Sequence, residues 1–205
     1  MKKFSLAYIP ETMEIKLMNY LKKNINLDSR EFEKLSIGLT LILFNVFEIF
    51  LVVLLAFLLG ILKESLVFTL TFMIIRTFAA GVHCKTGHQC IITTLTFYLG
   101  SALLSKYYPI NSQYAFIVGL AGSILLYKYA PADTENHPIL GKEYRKKLKM
   151  KTMLSVALIL VINLIINSTL LFNWAMYAII LESISVLPIT YKIFNVNYNN
   201  YKLYE

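Results

Sequence analysis

The residues that could do chemistry are concentrated in one run, Arg76-Thr-Phe-Ala-Ala-Gly-Val-His-Cys-Lys-Thr-Gly-His-Gln-Cys90, which holds two of the three histidines and both cysteines. A free thiol is mostly protonated at neutral pH, and a neighbouring imidazole can take its proton and hold the thiolate. His83 and Cys90 are seven residues apart. On one continuous helix they would be separated by about 10 Å along the axis, too far for proton transfer. A working pair therefore requires a helix break, which Gly81 and Gly87 allow.

The residue types alone leave four interpretations of this run open. The first is a cysteine-nucleophile enzyme that uses His83 and Cys90. The second is a zinc site, because the ligand types suit zinc although their spacing is not the usual one; it would use His83, Cys84, His88 and Cys90. The third is a disulfide between the cysteines, which a reducing cytoplasm disfavours. The fourth is structural, with cysteines filling a helix interface and histidines in a hydrated loop.

The composition indicates that these residues lie in a membrane protein. The chain has 205 residues, of which 57% are hydrophobic and only 16% charged, and its mean hydropathy is +0.60. Ordinary soluble domains are about 45–50% apolar and about 25% charged. A chain of this length has too little interior to bury so much apolar surface. The composition therefore excludes a soluble globular enzyme and a disordered chain.

The apolar runs predict an all-α polytopic membrane protein with about six transmembrane helices. A bilayer core about 30 Å thick needs roughly 20 helical residues. The first run is broken only by Asn45 and Glu48, and the second contains Arg76. The predicted spans are approximately 35–62, 65–80, 91–108, 110–129, 152–172 and 173–191. We expect one domain, 1–205, with an amphipathic cytoplasmic segment (1–34), a six-helix membrane region (35–191) and a cytoplasmic tail (192–205).

The basic residues predict the orientation of these spans. Of the twenty Lys and Arg residues, seven lie in residues 1–34 and seven in residues 128–151. Because cytoplasmic segments of membrane proteins carry the excess of Lys and Arg, both termini and the 81–90 turn are predicted to be cytoplasmic. The net charge of +8 therefore reports topology, and no nucleic-acid partner is expected. The N-terminal segment repeats apolar residues at helical spacing, at Ile9, Met13, Leu17 and Leu21.

Two motifs in this chain resemble a known family. One is the Arg76-to-His83 run followed by Cys90. The other, over residues 129–139, is Tyr-Ala-Pro-Ala-Asp-Thr-Glu-Asn-His-Pro-Ile. A Lys/Arg-rich segment follows it, and we expect this segment to be a loop over residues 142–151. Together they resemble the accessory gene regulator B (AgrB-type) family of Gram-positive quorum-sensing systems. The chain length, the basic N-terminal segment and the six-span pattern fit as well. One departure is Ala80, where the family often has a second glycine.

The resemblance implies an integral membrane cysteine endopeptidase that processes an AgrD-type precursor into a cyclic autoinducing peptide. The family's catalytic His and Cys correspond to His83 and Cys90. Cys90 would form a thioester with the precursor, and an internal Cys of the precursor would capture it as a thiolactone, or a Ser as a lactone. The site is expected near the cytoplasmic face of the cell membrane. No cofactor or metal is expected; the partners would be the precursor, membrane lipids and, from the family and the apolar hairpins, a second copy in a homodimer.

Further residues are candidates for supporting this chemistry. Arg76 could stabilise an oxyanion, bind an acidic precursor tail or mark the membrane boundary. Asp133 and Glu135 could orient His83 or bind the precursor, or act only as a helix cap or charge partners. The candidate substrate-binding residues are Lys142, Arg145, Lys146, Lys147 and Lys149. Glu48 and Glu182 lie within spans and could bridge helices or line a path, and the alternative to an enzyme is a small transporter or peptide exporter.

Overall fold

A computed structural model of the chain describes residues 20, 28–84, 86–134, 138–166 and 169–205. Most of the predicted amphipathic segment 1–34 lies outside these residues, and so does Glu135. Across the described part the chain is all-α, as predicted, and 80% helical. The helices are α1 (Ser29–Leu58), α2 (Leu62–Ala79), α3 (Gly87–Tyr107), α4 (Ser112–Tyr129), α5 (Lys142–Ile166), α6 (Thr169–Ser185), α7 (Pro188–Ile193) and a final 3-10 turn (Asn200–Leu203).

The six predicted apolar runs each overlap one long helix, but several boundaries differ from the prediction: α1 begins at Ser29 and α6 at Thr169, before the predicted positions 35 and 173. We expected a loop over residues 142–151, and this is wrong: α5 begins at Lys142. Lys, Arg, Glu, Leu and Met are strong helix formers, so the basic segment extends the apolar helix instead of interrupting it. The sixth run is divided, because α6 ends at Ser185 and Pro188 occupies the first turn of α7.

The outer surface of the bundle is apolar. Many large hydrophobic side chains of α1 and α5 are exposed, among them Phe50, Phe57, Leu154, Leu158 and Ile165. Exposed apolar surface of this extent marks a membrane or partner interface. By length and composition, one helix in the described residues could cross a bilayer, Lys142–Ile166, and a shorter apolar segment covers Ile42–Leu58. The number of spans stays a prediction.

The core of the bundle is centred on α6, which packs against α2, α3, α4 and α5. Ile75, Leu126, Met176 and Ile179 are fully buried in the main apolar cluster. Glycines of α4 allow the close approach of α6: a Cβ on Gly119 would overlap the Met176 thioether, and one on Gly122 would lie 3.2 Å from Ile179 Cγ2. Small residues let helix backbones approach closely, as is common in membrane bundles.

The loops of the bundle gather at two ends. At one end, Lys106 Nζ donates to the Gly60 carbonyl (2.6 Å), and the Asn173 side chain hydrogen-bonds both backbone polar groups of Ile110. At the other end, the α2–α3 loop meets the α4–α5 loop and the segment that follows α6. There the Gly81 N–H donates to the Ala132 carbonyl at 2.7 Å, and Val82 N–H donates to the Ser185 carbonyl at 3.1 Å. This second end, which we call the loop end, carries the His/Cys run.

Candidate active site

The predicted helix break between His83 and Cys90 is confirmed. α2 ends at Ala79 and α3 begins at Gly87, after Thr86, whose side chain accepts a hydrogen bond from the Gln89 N–H at 3.3 Å. This is the N-cap arrangement that satisfies an otherwise unpaired amide of the first helical turn. The two cysteines therefore lie in different elements: Cys84 is in the loop, and Cys90 is in the first turn of α3.

The first half of this loop is anchored by Arg76. Its guanidinium donates to the Val82 carbonyl, to Ser185 Oγ at 2.8 Å and to Glu182 Oε2 at 3.5 Å. The Glu182 side chain is 0% exposed and that of Arg76 is 20% exposed, so the ion pair is largely removed from water. A second link joins Ser185 Oγ to the same Glu182 carboxylate at 3.0 Å. Arg76 thus fixes the backbone immediately before His83.

The contacts that Arg76 makes require a glycine at position 81. Its φ of +122° lies in the region that favours glycine. A Cβ at this position would overlap the Arg76 guanidinium and lie 2.5 Å from Ser185 Oγ. Ala80, the departure from the family pattern, has φ of +56°. A glycine would adopt that backbone conformation without steric cost, which is a physical reason for the family's second glycine.

The two cysteines belong to the second half of the site. Both are free thiols, each half-buried. Cys84 Sγ donates to Thr93 Oγ1 at 3.6 Å. The hydrogen bond from Cys90 lowers the pKa of the Cys84 thiol to about 7.

A carboxyl group from α1 lies near the thiols. The Glu48 side chain is buried at 9% exposure, its Oε1 has no hydrogen-bond partner, and its charge opposes the lowering of the pKa of Cys84. Cys90, Thr93 and Thr94 are one helical turn apart, so all three face the same side of α3. We call the side chains of Glu48, Cys84, Cys90, Thr93 and Thr94 the thiol cluster.

The histidines lie on either side of Cys84. His83 is exposed in the loop directly before it, and His88 is exposed on the first turn of α3.

An apolar groove of about 280 Å³ opens between α1 and α3 beside the thiol cluster. It is lined by Phe47, Leu51, His88, Ile91 and Ile92. In the described residues, no group of three or more His, Cys, Asp or Glu side chains is placed to hold a metal ion.

Asp133 lies at the loop end and holds the end of the chain. Its buried carboxylate accepts hydrogen bonds from the backbone N–H groups of Asn200 at 2.9 Å and Tyr201 at 2.7 Å. Both oxygens are thus used to cap the final 3-10 turn. Its neighbour Ala132 accepts from the Tyr191 hydroxyl at 3.0 Å. These contacts give Asp133 a structural function, whereas its predicted role toward His83 or the precursor stays a prediction.

The basic candidates of α5 differ in their surroundings. Arg145 binds Glu205 through two hydrogen bonds of 2.7 and 2.8 Å and stacks on the Tyr201 ring at 3.9 Å. The bond from Arg145 lowers the pKa of the Glu205 carboxyl to about 2. Lys149 lies 4.4 Å from the centre of the Tyr127 ring. The exposed side chains are those of Lys142, Lys146 and Lys147.

Sequence reasoning missed the partners of the thiol cluster. A glutamate inside an apolar run is itself a signal of a functional site, and Glu48 gave that signal. Its partner could not be assigned, because the face of α1 that meets α3 is decided by packing. The C-terminal segment was expected only as a tail, yet it docks on Asp133 and Arg145.

Comparisons with known proteins agree over nearly the whole chain. A family model described as accessory gene regulator B matches residues 15–186. The chain is 33% identical to an AgrB-like protein of Clostridium acetobutylicum, over 90% of this chain and 88% of the relative. It is 32% identical to accessory gene regulator protein B of Staphylococcus intermedius, over 82% of this chain and 89% of the relative. No solved structure matches.

Proposed function

The chain belongs to the accessory gene regulator B family, and we propose that it is a membrane cysteine endopeptidase that cleaves an AgrD-type precursor peptide. The family acts in quorum sensing and is linked to peptide processing with an AgrD-type partner. The observation that carries the proposal is the place of the Cys90 thiol: it lies in the first turn of α3, directly after a helix break, and the loop before it, which carries His83, is anchored by Arg76.

The proposed reaction is acyl transfer. His83 takes the thiol proton as Cys90 Sγ attacks a precursor carbonyl, and His83 returns the proton to the leaving amine. The peptide bond breaks, the C-terminal fragment departs as a free amine, and a thioester remains on Cys90. An internal precursor thiol then attacks this thioester, so that Cys90 regains its proton and a thiolactone ring is released. Exclusion of water favours ring closure over hydrolysis.

The proposed setting is the cell membrane, with α1 to α6 as the six spans and the loop end in the cytoplasm. The family is membrane-associated, and the apolar outer faces of α1 and α5 support membrane embedding. Basic residues at the loop end support a cytoplasmic placement, because Arg145, Lys146 and Lys147 lie in the first turns of α5. The exposed lysines among them are suited to an acidic segment of the precursor or to anionic lipid.

The experiment uses the full chain, purified and reconstituted in liposomes, with a synthetic AgrD-type precursor. We expect wild-type protein to release the C-terminal fragment and to form a thioester that hydroxylamine cleaves. Cys90→Ala should lower the cleavage rate at least about 1,000-fold, the scale for loss of a nucleophile, and His83→Ala should lower it strongly. The matched control is Cys84→Ala, which removes the other thiol and should retain cleavage.

Three results would contradict the proposal. Cleavage by Cys90→Ala at the wild-type rate would exclude this thiol as the nucleophile. Transport of intact precursor across the bilayer without cleavage would instead favour the exporter alternative. Wild-type cleavage that a chelator abolishes would favour the zinc interpretation of the His/Cys run.

A further inference from the structure

The two groups of the proposed reaction differ in how the fold supports them. Cys90 lies in the first turn of α3, whereas His83 is exposed on the α2–α3 loop. The hydrogen bonds of a helix hold a helical residue in place, but the backbone of a loop needs partners from other parts of the fold. Val82 directly precedes His83, so the contacts of Val82 decide where the histidine lies.

Both backbone polar groups of Val82 are used, and both lead to the end of α6. The Val82 N–H donates to the Ser185 carbonyl at 3.1 Å. The Val82 carbonyl accepts from the Arg76 guanidinium, which also donates to Ser185 Oγ at 2.8 Å. Ser185 thus holds Val82 directly through its own carbonyl and indirectly through its hydroxyl.

The place of Ser185 at the end of α6 explains both contacts. The last four carbonyls of a helix have no partner within the helix, and the Ser185 carbonyl is one of them. A hydroxyl both accepts and donates, and Ser185 Oγ accepts from Arg76 and donates to Glu182 Oε2 at 3.0 Å. Ser185 is 9% exposed and Glu182 is 0% exposed. These hydrogen bonds are therefore shielded from water and direct the guanidinium toward the loop.

The loop backbone packs directly on the Ser185 hydroxyl. A Cβ on Gly81 would lie 2.5 Å from Ser185 Oγ, so a glycine at this position is what admits the hydroxyl. The Gly81 N–H donates to the Ala132 carbonyl at 2.7 Å, which holds the same stretch from the α4–α5 loop. The backbone before His83 is thus fixed from two sides. The hydroxyl of Ser185 can be removed without changing the sequence of the loop itself.

We propose that Ser185 is a positioning residue for His83: through the backbone of Val82 it fixes where the imidazole lies relative to Cys90. This inference rests on the proposed function, since it gives Ser185 a part in the same reaction. A general base must lie within hydrogen-bond reach of the proton that it takes, and a misplacement of about 1 Å can cost 100-fold in rate. Ser185→Ala removes the hydroxyl and keeps the carbonyl, so it loosens the loop without releasing it.

The test compares variants of the full chain in nanodiscs with a synthetic AgrD-type precursor. Ser185→Ala should lower kcat about tenfold with KM within about twofold of wild type, because the precursor still binds but His83 is displaced. Ser185→Thr keeps a hydroxyl and should retain kcat within about threefold of wild type.

The matched control is Ser183→Ala. Ser183 is also buried on α6, but its hydroxyl donates to the Ile180 carbonyl of its own helix at 2.7 Å. This variant removes the same group from the same helix and leaves the contacts of the loop in place. Its kcat should stay at the wild-type value.

A second measurement needs no precursor. The chain has three histidines, so protein made with isotope-labelled histidine gives three imidazole signals in an NMR spectrum, and the signal lost in His83→Gln belongs to His83. This signal should shift in Ser185→Ala and keep its wild-type position in Ser183→Ala. Thermal unfolding of each variant shows whether the bundle remains folded.

The outcomes separate this inference from the proposed function. An unmoved His83 signal and an unchanged kcat in Ser185→Ala would overturn the positioning role. Equal losses of kcat in Ser185→Ala and Ser183→Ala would overturn it as well, because the packing of α6 and not the contact with the loop would then be what matters. If the His83 signal moves as expected but wild-type protein does not cleave the precursor, the contact exists but the proposed function is wrong, and the role of Ser185 in the reaction fails with it.

Discussion

Glu182 and Glu48 are both carboxyls buried in apolar helices, but their surroundings differ. Glu182, on α6, binds the Arg76 guanidinium at 3.5 Å and the Ser185 hydroxyl at 3.0 Å. Glu48, on α1, is 9% exposed, and its Oε1 has no hydrogen-bond partner. The first carboxyl is paired with a charge that in turn holds a backbone carbonyl. The second belongs to no ion pair among the described residues.

This difference predicts different consequences when each of the two carboxyls is replaced. The Arg76–Glu182 pair fixes the backbone of the α2–α3 loop, so a change there should appear first in stability. No ion pair of the described residues includes Glu48, so a change there should cost less stability. Two carboxyls that look alike in the sequence therefore predict different losses of stability, and the following predictions test that separation.

The largest expected effect on stability comes from removing Glu182. Glu182→Ala leaves the Arg76 guanidinium without its charge partner in a mostly buried site, and breaking such a pair costs about 3–5 kcal/mol. The measurement is the free energy of unfolding of the purified chain in detergent. Glu48→Leu is the matched comparison and should cost less than about 1 kcal/mol, since it exchanges a partly unsatisfied carboxyl for an apolar group.

Equal losses of stability in these two variants would remove the distinction between the carboxyls. A double variant sharpens the test, because Arg76→Met combined with Glu182→Leu removes both charges. Replacing both members of a buried pair by apolar groups is often nearly neutral. We therefore expect the double variant to be more stable than Glu182→Ala, and a double variant that is less stable would contradict the assignment of the pair.

The next largest expected loss of stability comes from the backbone at Gly81, which the Arg76 contacts hold in place. Gly81→Ala introduces a Cβ that overlaps the Arg76 guanidinium, at a φ of +122°, and should cost about 2–3 kcal/mol of unfolding free energy. Thermal unfolding in detergent measures it. The control is Gly100→Ala on α3, where an added Cβ meets nothing within 4 Å.

The neighbouring position gives the opposite expectation. Ala80 has φ of +56°, and Ala80→Gly should raise the unfolding free energy by about 1 kcal/mol, because glycine relieves the steric cost. If Gly81→Ala is neutral, or if Ala80→Gly destabilises the protein, the loop conformation described above is wrong.

A smaller effect is expected at Asp133. Asp133→Ala removes the acceptor of two backbone N–H groups at the start of the final 3-10 turn, a cap worth about 1–2 kcal/mol. Hydrogen exchange should then become faster at the Asn200 and Tyr201 amides, while precursor cleavage stays near the wild-type rate. Loss of cleavage without faster exchange would instead assign Asp133 to the reaction, as the sequence motif allowed.

The sequence predicted the features that depend on local chemistry. The all-α class followed from the apolar runs, and the helix break followed from the seven-residue spacing of His83 and Cys90. The start of α5 was predicted wrongly because a cluster of Lys and Arg is typical of cytoplasmic loops, yet these residues also favour helix. The side chains through which α1 meets α3 depend on how the two helices rotate against each other, and the apolar runs do not determine that rotation.

The prediction for the two cysteines combines the smallest expected change in unfolding free energy with a large expected change in thiol reactivity. Because the hydrogen bond from Cys90 lowers the pKa of Cys84 to about 7, Cys84 becomes a thiolate as the pH rises through about 7. About half of it is then reactive at pH 7, against roughly 1% for a thiol of pKa 9. Iodoacetamide labelling of Cys84, followed against pH by peptide mass spectrometry, measures the midpoint.

Cys90→Ala removes the donor, so the labelling midpoint of Cys84 should rise toward the ordinary thiol range by up to roughly two pH units. The unfolding free energy should change by less than about 1 kcal/mol. Glu48→Leu leaves the Cys90 donor in place and removes a charge that raises the pKa of Cys84, so the labelling midpoint should stay at or below about 7. A midpoint that rises in Glu48→Leu and not in Cys90→Ala would contradict Cys90 as the cause of the lowered pKa.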